Sequence, residues 1–166
     1  SNLRYVRKRV TVLEGPRGLP SPFKPPYSRF VAIDLNKGDM LWSYTIGTGP
    51  VDHPAIKHLN LPPLGNASRG AGPLITKTLA FIGEGPDTNR ITLYDAVNDK
   101  VVPNKGPGGK MFRALDKRTG KVVWEMELPA GTSGVPMTYM ANGKQYIAVT
   151  IGGTNMRAEV IALALP

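Results

Sequence analysis

Ala32-Ile33-Asp34-Leu35-Asn36-Lys37-Gly38-Asp39-Met40-Leu41-Trp42 and Ala114-Leu115-Asp116-Lys117-Arg118-Thr119-Gly120-Lys121-Val122-Val123-Trp124 share one pattern, Ala-x-Asp-x3-Gly-x3-Trp, with every matched position displaced by 82. Each copy reads as a strand, a turn carrying Asp and Gly, and a second strand ending in Trp. Gly suits the positive φ that such a turn requires, and Asp accepts hydrogen bonds from the turn backbone. Trp then packs between neighbouring sheets. Because these roles are structural, neither Asp34 nor Asp116 is a candidate base. A third, degenerate copy runs from Val160 to Leu165, over Phe30 to Leu35, with Ala164 where the Asp stands. It follows the second copy by 48 residues, the length of a four-stranded propeller blade.

Working outward, helical periodicity is nearly absent. Short β-branched or aromatic runs bounded by Gly, Pro, Asn and Asp predict strands over 5–13, 29–34, 40–46, 73–76, 79–83, 111–115, 122–128, 135–140, 145–151 and 158–163. Asn142-Gly143 marks a hairpin. The expected fold is all-β, a partial β-propeller. The 82-residue interval exceeds the 48-residue one through two insertions, 47–72 and 84–110. The first joins the last strand of one blade to the first strand of the next. The second joins the middle two strands of a blade. Strands alternate in direction, so both insertions emerge at one end of the assembly, where a propeller places its site. The expected division is the end of one blade (1–46), an insertion (47–72), one blade with its own insertion (73–128), and a last blade lacking its outer strand (129–166).

Composition narrows the classes. Hydrophobic residues at 41% support a core, and zero cysteines remove disulfides, Cys-ligated zinc and thiol catalysis. No apolar run of about eighteen residues is present for a membrane span, and no secretory signal opens the sequence. A net charge of +9, densest at Arg4, Arg7, Lys8 and Arg9, raises polyanion binding. With 7% aromatics and no nucleic-acid-binding signature, a solvated strand face is the favoured reading of that cluster.

The second copy and the residues after it resemble the quinoprotein alcohol and glucose dehydrogenases. The resemblance rests on 112–125, Leu128-Pro129-Ala130-Gly131, Pro136-Met137-Thr138-Tyr139 and Asn142-Gly143-Lys144-Gln145-Tyr146. It also rests on Lys24-Pro25-Pro26-Tyr27, Gly72-Pro73-Leu74-Ile75-Thr76, Phe81-Ile82-Gly83 and the ending Ala162-Leu163-Ala164-Leu165-Pro166, which resemble the membrane-bound glucose dehydrogenase branch most closely. The resemblance implies the C-terminal blades of an eight-bladed, periplasm-facing propeller that binds pyrroloquinoline quinone (PQQ) and a calcium-type cation on its axis. It implies oxidation of a sugar or alcohol, with electrons leaving to ubiquinone or a cytochrome. In the family the cation ligands, the aspartate base and most cofactor contacts come from earlier blades, so no catalytic or metal-ligating residue is assigned here and the isolated chain is expected to be inactive. The rest of the propeller, or a second copy, is the expected partner of its open edges; nucleic acid is not.

The candidate cofactor-binding residues are Ser68, Arg69 and Gly70 in the Gly-rich segment 65–72, and Gly152, Gly153 and Thr154. By the resemblance, Ser68 or Arg69 lies against the quinone plane, with Arg69 able to pair with a carboxylate. Glycines at 152 and 153 allow close backbone approach to a flat ring. The alternative for both segments is a turn that merely needs glycine. Asp52, His53 and His58 suit a metal pair or acid/base group by type, but with no third ligand in view a solvated or loop-pinning role is favoured. The acidic residues of 84–110 do not follow an EF-hand spacing, and that insertion reads as a lid or surface excursion. A non-catalytic propeller scaffold is the alternative function.

Overall fold

A computed structural model of the chain describes residues 23–66, 72–86, 88–95, 100–106, 108–153 and 156–164, the stretches 88–95 and 100–106 by backbone alone. Eleven strands lie among the described residues: β1 (Arg29–Asp34), β2 (Asp39–Thr45), β3 (Leu74–Ile75), β4 (Leu79–Gly83), β5 (Thr88–Asp95), β6 (Lys100–Gly106), β7 (Met111–Asp116), β8 (Val122–Glu127), β9 (Met137–Ala141), β10 (Lys144–Gly153) and β11 (Met156–Ala164). One short 3-10 turn, Lys57–Leu59, is the helical element among them. The strand expected over 5–13 lies outside the described residues.

The strands form antiparallel sheets ordered β1-β2, β3-β4-β7-β8, β11-β10-β9 and β5-β6. The fold is the all-β, partial-propeller arrangement expected from the repeat. Asn142 and Gly143, at φ +49 and +74, make the tight turn between β9 and β10. One difference from expectation has a plain cause. Pro73 has no N–H to donate and Thr76 turns its hydroxyl onto the backbone of Leu79, so the strand expected over 73–76 shortens to Leu74–Ile75. Insertion 84–110, expected as a lid or surface excursion, contains an antiparallel hairpin, β5 paired with β6.

Side-chain alternation explains how the sheets stack. In β7, Phe112 and Ala114 point to one side, into a cluster with Phe81, Leu128, Ala130, Val149 and Ile151 against sheet β9–β11. Leu115 points to the other side and packs with Ile46 and Ile82 under Phe30, Trp42 and Tyr44 of sheet β1-β2. The inner strands β4 and β7 are thus buried on both faces, whereas β3 and β8 at the edges stay largely exposed. Burying a side chain such as Phe112, with none of its surface exposed, contributes about 2–3 kcal/mol.

The repeat motif builds the joint between sheets. Asp116 Oδ1 accepts from the N–H groups of Arg118 and Thr119 at 3.0 and 2.8 Å and from the Thr119 hydroxyl at 2.9 Å. Those bonds, the Thr119 hydroxyl foremost, hold its carboxyl below the ordinary aspartate range. Asp34 caps its own turn in the same way, through the N–H groups of Asn36 and Lys37. Gly120, at φ +70, leaves its Cα bare, and the Trp42 indole from the preceding sheet lies over it; a Cβ there would stand 2.6 Å from Trp42 Cδ2. The Trp42 Nε1–H donates to the Lys117 carbonyl at 3.0 Å, and Phe30 meets the indole edge-to-face. The Trp of the first motif copy and the Asp–Gly turn of the second therefore join two neighbouring sheets.

Candidate functional site

The connections β2→β3, β4→β7, β8→β9 and β10→β11 emerge at one end of the sheets. Their contacts place three of them together. At the root of the 84–110 insertion, the Glu84 N–H donates to the Met111 carbonyl at 2.9 Å and the Gly109 N–H to the Gly85 carbonyl at 3.0 Å, closing the base of the loop. Thr132, in the β8→β9 connection, donates both its N–H (2.8 Å) and its hydroxyl (3.0 Å) to the Glu84 carbonyl. Residues 131–133 then pair with the end of β10: Thr132 bridges to Ile151, Ser133 N–H donates to the Thr150 carbonyl, and Gly152 N–H donates to the Gly131 carbonyl at 3.1 Å.

The backbones approach this closely because the contact positions lack side chains. A Cβ on Gly83 would overlap Thr132, one on Gly109 would overlap the Glu84 carboxylate, and one on Gly131 would lie 2.5 Å from the Pro86 Cα. Glu84 itself is buried. Its Oε1 meets Arg113 Nη1 at 2.6 Å, its Oε2 accepts from the Met111 N–H at 3.4 Å, and Arg113 Nε reaches Glu125 Oε2 at 2.9 Å. Burial works against the Arg113 charge, but the hydrogen bonds to Glu84 and Glu125 and the charges of Tyr44 and Glu84 together outweigh it and hold the guanidinium protonated. Burial also raises the Tyr44 phenol beside this group, Arg113 opposing and Glu84 and Glu125 reinforcing. Both Glu84 oxygens are engaged, so this carboxylate braces the face rather than offering a free base.

The β2→β3 connection is braced separately. Asn66 is buried, its N–H donates to the Ile46 carbonyl at 2.7 Å, and its Oδ1 accepts from the Gly49 N–H at 2.7 Å. Beside it, Pro25, Pro26, Pro62 and Pro63 with Tyr44 line an open cleft of about 490 Å³.

Of the expected cofactor-binding residues, Gly152 and Gly153 are described and stand at this end, on the last residues of β10. A Cβ on Gly152 would make ordinary contact with Ala158, whereas Gly153 is exposed, with nothing within 4 Å among the described residues. Ser68, Arg69, Gly70 and Thr154 lie outside the described residues. His53 is half-buried and its Nδ1 accepts from the Ala55 N–H at 3.2 Å, pinning its own loop; His58 and Asp52 are exposed. Among the described residues no three of His, Cys, Asp and Glu come together as a metal cluster.

Sequence reasoning missed the Glu84–Arg113–Glu125 network. Arg113 and Glu125 are direct cross-strand partners in the β7–β8 register and so could have been paired once that hairpin was drawn. Nothing local marks Glu84, 29 residues from Arg113. The Pro-lined cleft had no sequence signal beyond the two Pro-Pro dipeptides.

Residues 2–147 match the family model described as the PQQ-type glucose/ethanol/alcohol dehydrogenase, β-propeller domain. The chain belongs to this family. Its relatives among PQQ propellers include the glycerol dehydrogenase large subunit of Gluconobacter thailandicus, 34% identical over 150 residues that cover 86% of this chain and 17% of that protein. The quinoprotein glucose dehydrogenase of Gluconobacter oxydans (strain 621H) is 33% identical over 167 residues, 91% of this chain and 17% of that protein. A probable quinate dehydrogenase (quinone) of Xanthomonas campestris pv. juglandis is 32% identical over 150 residues, 86% of this chain and 16% of that protein. The chain spans about a sixth of the length of these curated relatives. No helix among the described residues is long and apolar enough to cross a membrane.

Proposed function

We propose that this chain forms the C-terminal blades of a periplasm-facing PQQ-dependent dehydrogenase that oxidises a hydroxyl group of a sugar or alcohol. The observation that carries the reading is the braced end of the sheets, where the connections of three strand pairs are locked backbone to backbone and Gly153 is left bare. A flat, side-chain-free backbone fits the edge or face of a fused-ring quinone, and the Gly152–Gly153 peptide is the described element we assign to it. Ser68, Arg69, Gly70 and Thr154 are proposed to join it, Arg69 as the partner of a cofactor carboxylate. When bound, PQQ with a calcium-type cation supplies a two-electron acceptor for the hydride lost from the substrate carbon.

This chain's residues contribute rigidity and shape to that site. Glu84, clamped by Arg113, holds the root of the β5–β6 hairpin, which stands at the same end and is suited to shield the site from water. The substrate proton, the cation and the onward passage of electrons to a quinone or cytochrome are assigned to other segments of the dehydrogenase, so the chain by itself is expected to turn over no substrate. PQQ titrated with Ca2+ into the complete dehydrogenase and followed by absorbance tests the reading. Saturable binding that weakens when Gly153 becomes Val supports it. A complete protein that binds no PQQ would favour a propeller scaffold without chemistry.

A further inference from the structure

We propose that Thr132 is a positioning residue: anchored on the Glu84 carbonyl, it sets where β10 delivers Gly152 and Gly153 to the cofactor side of the face. The proposal rests on the reading that the Gly153 backbone meets PQQ. Thr132 is 1% exposed and donates twice to a single acceptor, at 2.8 Å from its N–H and 3.0 Å from its hydroxyl. On its other side it pairs with Ile151, and its neighbour Gly131 accepts the Gly152 N–H at 3.1 Å. The acceptor does not drift, because the Glu84 side chain is tied to Arg113 at 2.6 Å and its N–H to Met111 at 2.9 Å. An unbroken line of short contacts thus runs from the Arg113 guanidinium to the amide that precedes Gly153.

A β-branched side chain is well suited to this task. Its methyl fills the space that Gly83 leaves, and its stiff χ1 keeps the hydroxyl directed at the carbonyl. Placement matters at such a site because small displacements of a contacting group are costly to binding and rate. Sites are often less well braced on the loop side than on the strand side. Here a loop residue is pinned to the ends of two different strands.

Thr132→Val keeps the shape and the N–H but loses the hydroxyl bond, while Thr132→Ser keeps the hydroxyl. In the 166-residue chain, amide exchange of Ser133 and Gly152 is expected to rise about fivefold in Thr132→Val, with Thr132→Ser within about twofold of wild type. The amides of Gln145 and Tyr146, at the far end of β10, stay unchanged in both. In the complete dehydrogenase, PQQ affinity in the presence of Ca2+ is expected to fall about fivefold with Val and to be restored by Ser. Unchanged exchange at Gly152 in Thr132→Val overturns the anchoring. Faster exchange with unaltered PQQ affinity overturns the positioning role. A wild-type protein that binds no PQQ refutes the cofactor reading instead, and exchange alone then decides the anchor. Should Thr132→Val fail to fold, Glu84→Gln loosens the same anchor without removing its carbonyl and must give the same order of exchange rates.

Discussion

Gly38 and Gly120 occupy the same position in two copies of one turn, at φ +76 and +70, yet only Gly120 lies beneath an indole. Replacing each by Ala separates backbone strain from docking. At Gly38 nothing lies within 4 Å of a new Cβ among the described residues, so Gly38→Ala costs the left-handed backbone conformation alone, about 1 kcal/mol. At Gly120 the same strain applies, and the Cβ would also stand 2.6–2.8 Å from three ring atoms of Trp42, so the indole must leave. Its departure forfeits the bond to the Lys117 carbonyl, about 1 kcal/mol net, and for a half-buried ring about half of the ~4 kcal/mol that a buried Trp side chain contributes. Gly120→Ala is therefore expected to be about 3 kcal/mol less stable than Gly38→Ala, a difference of about 6–12 °C in melting temperature. Thermal melts followed by far-UV circular dichroism avoid reliance on indole fluorescence. Adding Trp42→Ala to Gly120→Ala should then cost little, because the ring has already been displaced. Equal melting temperatures for the two alanine variants would refute the docking role of the glycine.

Three further outcomes are expected from the side-chain network. Because hydrogen bonds hold the folded Asp116 carboxyl below its unfolded value, their stabilisation is present above about pH 4 and is lost as pH falls through the lowered value. The stability advantage of wild type over Asp116→Asn should shrink across that acid range in urea titrations at successive pH values, and a constant difference would count against the assignment. Arg113→Met strands the buried Glu84 carboxylate and should cost about 3 kcal/mol, whereas Arg113→Met with Glu84→Leu should recover much of it; urea midpoints of the two variants decide. Asn66→Ala removes the acceptor of the Gly49 N–H and should lower stability by about 1–2 kcal/mol in the same assay, while Asn66→Asp, which keeps that acceptor but buries an unpaired carboxylate, should lose more.

The two motif copies made the stacking of sheets legible before any coordinates, because their residues act through local turns and through a ring large enough to reach the next sheet. Asp34, Asp116, Gly38, Gly120 and Trp42 all do what their types and spacing imply. Other features escaped for physical reasons. The β5–β6 hairpin lies in a segment dominated by Asn, Asp, Pro and Lys, whose loop composition masks the short apolar runs Ile91–Tyr94 and Val101–Val102. Glu84 looked like one more loop acid. Its burial depends on Arg113 approaching from 29 residues away and on Gly109 having no side chain, and neither condition leaves a periodic trace. For the candidate site, the sequence pointed to Gly152 and Gly153 and to the end of the sheets they occupy, but not to Thr132. A threonine in a Gly-rich loop carries no pattern, and its importance appears only when two distant strand ends meet around it.

The two ends of these sheets divide their work. At the end of the Asp–Gly turns the connections are short, and each turn is capped by its own Asp. There the indole of one sheet locks onto the turn of the next, so an inserted loop would have to displace Trp42. At the opposite end the connections differ in length by whole insertions, 47–72 and 84–110, yet their roots are held by backbone hydrogen bonds, Asn66 to Ile46 for the first and Glu84 to Met111 and Gly109 to Gly85 for the second. Such contacts do not depend on what the loop beyond them contains. The loops beyond can therefore change in length without disturbing the base beneath them. Glu84, Arg113 and Thr132 form the base of the 84–110 loop, tying it to the strands on either side.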